Sequence, residues 1–291
     1  MESLQALLEL AARDQQSLGE TALRLEAESQ QVAEKVVYDR MYEFLQVMRS
    51  SVQRGLTEEI RSLSGLSGGA ARLVAAAQPR LLNSLAQRAM SYALAVIEVN
   101  ASMGKIVAAP TAGSSGILPG VILAIADEFG LDDRSATLAL FAGGSVGQVI
   151  GQVASLSGAE GGCQAECGSA GSMAAAAAVE LVGGTPRQAI AAAGLALKNA
   201  LGLACDPVAG LVEIPCIKRN AIQILIALGA AELALAGIES AIPADEVVLA
   251  MDKIGKAMPH ELKETSLGGL ADTPTAREIE KKLGNISPGS R

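Results

Sequence analysis

From Asn100 to about Arg187 the chain is rich in glycine and alanine and carries few charges. Such small side chains allow helices to approach closely, whereas sheets depend on β-branched and aromatic residues to fill the space between layers. The rest of the composition agrees. Half of the 291 residues are apolar, yet there is no Trp and there are only three Phe and three Tyr beside 31 glycines. The expected fold is all-α: a single globular helical domain with buried Ala/Gly-rich helices and functional residues on the loops between them. A chain of this length can bury a substantial core.

Residues 1 to about 60 read differently, as charged helix-forming sequence with apolar positions at helical spacing: Leu4, Leu7, Leu8 and Ala11, then Val37, Met41, Leu45 and Met48. This predicts an N-terminal helical appendage, residues 1–75, ahead of a main helical domain over 76–291. "LSGLSGGAARL" (63–73) is a Ser/Gly break, and a further helix begins near Leu81. Later helices carry readable starts. Aspartates precede the apolar run of "LDDRSATLALFAGG", and Thr185 is the expected N-cap with Pro186 in the first helical position. "NAIQILIALGAAELALAG" reads as a buried helix and "PADEVVLAMDKIGKAM" as an amphipathic one. No internal repeat is present.

Charge narrows the classes of function. Lys and Arg number 23 against 31 Asp and Glu, a formal −8, which leaves no electrostatic footprint for nucleic acid. The N-terminus carries acids where a secretory signal carries positive charge, so a cytoplasmic protein is expected, with its thiols reduced. The stretches from Ile106 to Ala126 and from Ser135 to Ala159 contain no charged side chain. Prolines, glycines and polar residues interrupt both. We read them as core helices rather than membrane spans.

Chemistry-capable residues gather in three loops: "NASMGKIVAAPTAGSSGILPG" (100–120), "EGGCQAECGSAGS" (160–172) and "CDPVAGLVEIPCIKRN" (205–220). All four cysteines, Cys163, Cys167, Cys205 and Cys216, lie on the last two. Free Cys is commonly a core residue. Here the cysteines sit among glycines and prolines, where freed backbone amides can serve cluster sulfurs. The spacings Cys-x3-Cys and Cys-x10-Cys do not match paired zinc knuckles. Core packing and a metal or iron–sulfur site both remain open on spacing alone. In "TAGSSG", the residues Thr111, Ser114, Ser115 and Gly116 precede an apolar helix and are suited to cradle a carboxylate or phosphate, with Lys105 just upstream. Lys105 with such a loop also raises a pyridoxal-phosphate Schiff base, against which stands the lack of any strand–helix alternation. His260 is the only histidine. Acid–base chemistry would have to draw on it, a lysine, a carboxylate such as Glu166, or a second chain.

Taken together and in order, "NASMGKIVAAPTAGSSGILPG", "EGGCQAECGSAGSMAAAA", "CDPVAGLVEIPCIKRN" and "KETSLGGLA" resemble the motifs of the iron–sulfur-dependent L-serine dehydratases (L-serine ammonia-lyases), specifically their alpha chain. The resemblance covers nearly the whole sequence. It implies conversion of L-serine to pyruvate and ammonia with an oxygen-sensitive [4Fe–4S] cluster and without pyridoxal phosphate. It further implies that Cys163, Cys205 and Cys216 each bind one iron, the fourth iron staying open for substrate, and it assigns no ligand role to Cys167. Thr111, Ser114, Ser115 and Gly116 are then the candidates for holding the substrate carboxylate. Lys105 and His260 are the candidate catalytic side chains.

One departure is informative. The Ser-Ser-His-Thr motif that the family carries on a fused segment or a separate beta chain is missing from this sequence. The resemblance therefore implies a beta subunit that supplies histidine groups, and little activity for this chain alone. The competing readings are a related iron–sulfur β-eliminase, such as a cysteine desulfidase, and a non-catalytic iron–sulfur partner protein.

Overall fold

The computed structural model describes residues 3–284. Among them are thirteen α-helices and no strand: α1 (Leu4–Asp14), α2 (Leu18–Gln30), α3 (Glu34–Thr57), α4 (Ala70–Ala76), α5 (Ser84–Ala101), α6 (Ile117–Phe129), α7 (Asp133–Val153), α8 (Gly158–Gly161), α9 (Ser169–Leu181), α10 (Pro186–Lys198), α11 (Cys216–Leu235), α12 (Ala244–Ala257) and α13 (Pro274–Gly284). The all-α single domain expected from composition is what forms.

At its centre stands α9, "SAGSMAAAAAVEL", in which every residue from Ser169 to Val179 is buried. A helix apolar on all sides must be enclosed on all sides, and α6, α7, α10 and α11 surround this one. Next, α5 packs on α6 and α11, and α3 packs on α5. The two longest uncharged stretches fall in α6 and α7. Both are long and apolar enough to cross a membrane, but about 70% of each is buried against other helices, as core helices are (72% and 67%).

The helix starts follow local chemistry. Asp132 accepts from the Ser135 amide to open α7, and Thr185 with Gln188 forms a capping box before Pro186, as the sequence anticipates. Pro119 is tolerated in α6 because the amide it lacks belongs to the first, unpaired turn.

The N-terminal helices do not form a core of their own. Leu4, Leu7, Leu18 and Leu45 are fully buried in the same cluster as α6, α7 and α9. Carboxylates on the main body cap these helices: Asp245 accepts from the Leu4 and Gln5 amides, and Glu180 from Leu18 and Gly19. Two segments read as loops are helical. Residues 70–76 form α4 because the buried Glu98 carboxylate accepts from the Ala70 and Ala71 amides and caps a helix too short to persist alone. Most of 160–172 is also helical, as described below.

Where glycines line a helix crossing, backbones touch. A Cβ at Gly55 of α3 would lie 2.5 Å from the Ala95 carbonyl oxygen of α5. Gly55→Ala is expected to pry α3 from α5 and destabilise the fold by about 1–3 kcal/mol, lowering the thermal midpoint by several degrees. A melt unchanged from wild type would show that this crossing has slack.

Candidate active site

Three elements bring the cysteines together. Cys163 follows α8 directly after Gly162, whose φ of +75° is readily adopted only by glycine. The chain then makes a π-helical turn, Gln164–Gly168, and runs straight into α9. Such turns are rare and recur at functional sites; this one carries Glu166 and Cys167. Cys205 lies in the extended segment after α10. Its amide donates to Leu262 (2.9 Å) and its carbonyl accepts from the Glu264 amide (2.6 Å), so the segment 262–264 is laced over it. Cys216 is the first residue of α11. All four thiols are free and buried.

The hydroxyl loop meets this group through two side chains. Thr111 opens the short 3₁₀ turn Ala112–Ser114. Its hydroxyl donates to Glu166 Oε1 (2.8 Å) and lies 3.1 Å from the Ser114 hydroxyl. Asn220, fully buried on α11, clamps the loop from below. Its Oδ1 accepts from the Gly116 amide (3.0 Å), and its Nδ2 donates to the carbonyls of Gly113 (2.8 Å) and Cys216 (3.0 Å). The other carboxylate oxygen, Glu166 Oε2, is 3.9 Å from Cys205 Sγ. The peptide bonds before Pro110 and Pro215 are both cis.

Burial sets the electrostatics. Desolvation, with Cys163 next in order, pushes the Cys205 thiol well up and the Cys216 thiol up to about 12. Cys163 and Cys167 share a hydrogen bond that holds Cys163 down and Cys167 well up; Arg219 also favours the Cys163 thiolate. Burial opposes the Arg219 charge, but Cys163 and Asp206 outweigh it, and the Asp206 pair is close at 2.8 Å. Arg219 also donates to the Ala204 carbonyl, and Asp206 accepts from the Leu270 amide, so this pair pins the Cys205 segment. Burial raises the Glu166 carboxyl too, while the Thr111 hydroxyl partly offsets it.

The predicted residues separate accordingly. Cys163, Cys205, Cys216, Thr111 and Ser114 converge. Ser115 is fully buried with its hydroxyl unpartnered. Gly116 contributes its amide to Asn220, and its missing Cβ makes room for the Ala93 carbonyl of α5, so part of its role is packing. Lys105 is exposed. His260 is also exposed and lines a different cavity of about 490 Å³ with Lys256, Asp252 and Lys263. Glu166, Asn220, and the Arg219–Asp206 pair are the residues that motif reading underweighted. Glu166 had a visible signal, being the only charged residue between Glu160 and Glu180.

Cys205 and Cys216, held protonated by desolvation, would give up their protons to a metal, because metal binding deprotonates its ligands. Among the described residues no three His, Cys, Asp or Glu side chains converge tightly enough to chelate a single ion. Soft thiols are the donor type that iron–sulfur centres take.

Fold and site together define an all-α protein whose interior sets soft sulfur donors beside a small hydroxyl-bearing loop. The profile of the serine dehydratase alpha chain family matches residues 11–271. The chain is 47% identical to a probable L-serine dehydratase alpha chain of Bacillus subtilis, over 99% of this chain and 97% of that one. It is 44% identical to the L-serine dehydratase alpha chain of Peptoniphilus asaccharolyticus, over 89% and 90% respectively. A longer L-serine dehydratase of Streptomyces coelicolor is 41% identical over 86% of this chain but only 56% of its own length. The chain belongs to the serine dehydratase alpha chain family.

Replacing Asn220 with Ala removes three hydrogen bonds and strands the buried Gly116 amide. We expect a loss of about 2–4 kcal/mol, read from the denaturant midpoint. Asn220→Asp, which sets a carboxylate oxygen against the Gly113 and Cys216 carbonyls, should cost at least as much as Ala at neutral pH; equal stability of all three proteins would exclude Asn220 as the clamp.

Proposed function

We propose that the chain is the alpha chain of an iron–sulfur-dependent L-serine dehydratase, eliminating water from L-serine to give 2-aminoacrylate, which hydrolyses to pyruvate and ammonium. The observation that carries this reading is the meeting of Cys163, Cys205 and Cys216, buried and free, beside the Thr111–Ser114 hydroxyl loop in a chain of this family. Those three cysteines would hold a [4Fe–4S] cluster, with Cys167 outside the ligand set. When bound, a cluster with one iron unliganded by protein supplies a Lewis acid for departure of the β-hydroxyl.

The chain's own residues do the rest. The Ser114 hydroxyl and the amides of the same loop orient the substrate carboxylate, while the Thr111 hydroxyl, its proton donated to Glu166, positions the loop, and Asn220 fixes that loop relative to Cys216. Lys105 lies outside this contact set and adds at most long-range charge. A beta chain completes the machinery. Support for it comes from the name "alpha chain" borne by the relatives and from the extra length of the Streptomyces coelicolor protein. The sole histidine here is exposed at position 260, so histidine chemistry falls to that partner. We assign the protein to the cytoplasm, where free cysteines such as these four stay reduced.

Anaerobic reconstitution of the chain with iron and sulfide, mixed with its beta partner, is expected to yield pyruvate from L-serine and to lose that activity in air. Cys205→Ala and Cys216→Ala should each lower bound iron and the visible absorbance of the cluster and abolish pyruvate, while Cys167→Ala keeps both. Pyruvate formed by iron-free protein would refute the assignment. Faster release of sulfide from L-cysteine than of pyruvate from L-serine would move it to a desulfidase.

A further inference from the structure

Glu166 lies at the junction of the two halves of the site. One oxygen accepts the Thr111 hydroxyl at 2.8 Å, on the loop assigned to the substrate carboxylate. The other is 3.9 Å from Cys205 Sγ, on the side assigned to the cluster. In an α-amino acid with a β-hydroxyl, the carboxylate and the hydroxyl-bearing carbon flank Cα. A group placed between their two binding regions therefore faces what Cα itself carries, the ammonium and the α-proton.

Glycine backbone packs against this carboxylate on both sides. A Cβ at Gly113 would lie 3.3 Å from Oε1, and one at Gly158 would lie 2.8 Å from Oε2 and 2.9 Å from Cys205 Sγ. An alanine at 158 would cover the oxygen and the sulfur at once. Glu166 itself is only partly buried.

Its charge has no cationic partner among the described residues. The Thr111 hydroxyl is the oxygen donor to the carboxylate, Cys205 Sγ lies 3.9 Å away, and no Lys or Arg among the described residues makes an ion pair with it. The nearby guanidinium, Arg219, is committed to Asp206 and the Ala204 carbonyl. A half-buried carboxylate without a counter-charge is costly unless a cation arrives. We propose that Glu166 binds the α-ammonium of the substrate amino acid and so makes the site selective for amino acids over hydroxy acids. This rests on the dehydratase reading above.

The test compares L-serine with 3-hydroxypropionate, which has the same carboxylate and β-hydroxyl but no ammonium. Binding of each is measured by anaerobic calorimetry on the reconstituted alpha–beta enzyme, as wild type, Glu166→Gln and Glu166→Asp. Gln keeps an acceptor for Thr111, and iron content with the thermal midpoint reports whether each variant is intact. Glu166→Gln should weaken L-serine by about 30-fold or more and leave 3-hydroxypropionate within about two-fold; Glu166→Asp should recover part of the loss.

An intact Gln variant that binds L-serine as tightly as wild type but has lost turnover would overturn the proposal in favour of proton transfer at Glu166. Equal weakening of both ligands would overturn it in favour of a role confined to holding the Thr111 loop. Wild-type enzyme that neither binds nor converts L-serine would instead bring down the dehydratase reading, and this proposal with it.

Discussion

The site depends on one amide side chain. Asn220 projects from the first turns of α11 and satisfies an amide and a carbonyl of the hydroxyl loop together with the carbonyl of Cys216. Loops that carry ligands are usually soft. Here the loop that offers hydroxyls and the helix that offers a thiol are fixed to each other by a single rigid fork, itself fully buried. Asn220 can do this because α11 is held from several sides, with α5, α9 and α10 packed against it.

That rigidity rests in turn on close helix contact. Residues with little or no side chain line the crossings of α3 with α5, α5 with α6 and α7 with α9. Backbone against backbone leaves few rotamers to rearrange, so the framework holds its loops without large aromatic anchors. The thiols take advantage of the same dry interior. Desolvation makes free thiolates unfavourable, and Arg219 is the nearby positive charge, spent on Asp206 and Cys163. The proposed centre, with its own positive charge, would resolve that imbalance, as would the proposed ammonium over Glu166.

Much of this was legible in the sequence, though unevenly. The all-α class followed from small residues and absent aromatics, and the starts of α7 and α10 from Asp132, Thr185 and Pro186. The motif loops pointed to Cys163, Cys205, Cys216 and Thr111, which do converge. What could not be read were relations between distant residues. Asn220 is ordinary in "CIKRN" until its three partners, two of them over a hundred positions away, are known. Residues 70–76 look like a break until Glu98 caps them. The segment 160–172 reads as a loop because its glycines suit one, and only enclosure by neighbouring helices makes it helical. Lys105 and His260 drew notice as reactive types, and neither type nor spacing told where their side chains emerge.

The pairing of Cys205 with residues 262–264 has a consequence for how the protein is made. During synthesis the cysteines leave the ribosome in the order 163, 167, 205, 216, and each is complete before the strand-like segment that covers Cys205 has been translated. The nascent chain thus displays every thiol while its closing flap does not yet exist. Once made, that segment is secured by two backbone hydrogen bonds and by the Ser266 hydroxyl on the Pro207 carbonyl. Closure over Cys205 thus waits for one of the last stretches of the chain to be made.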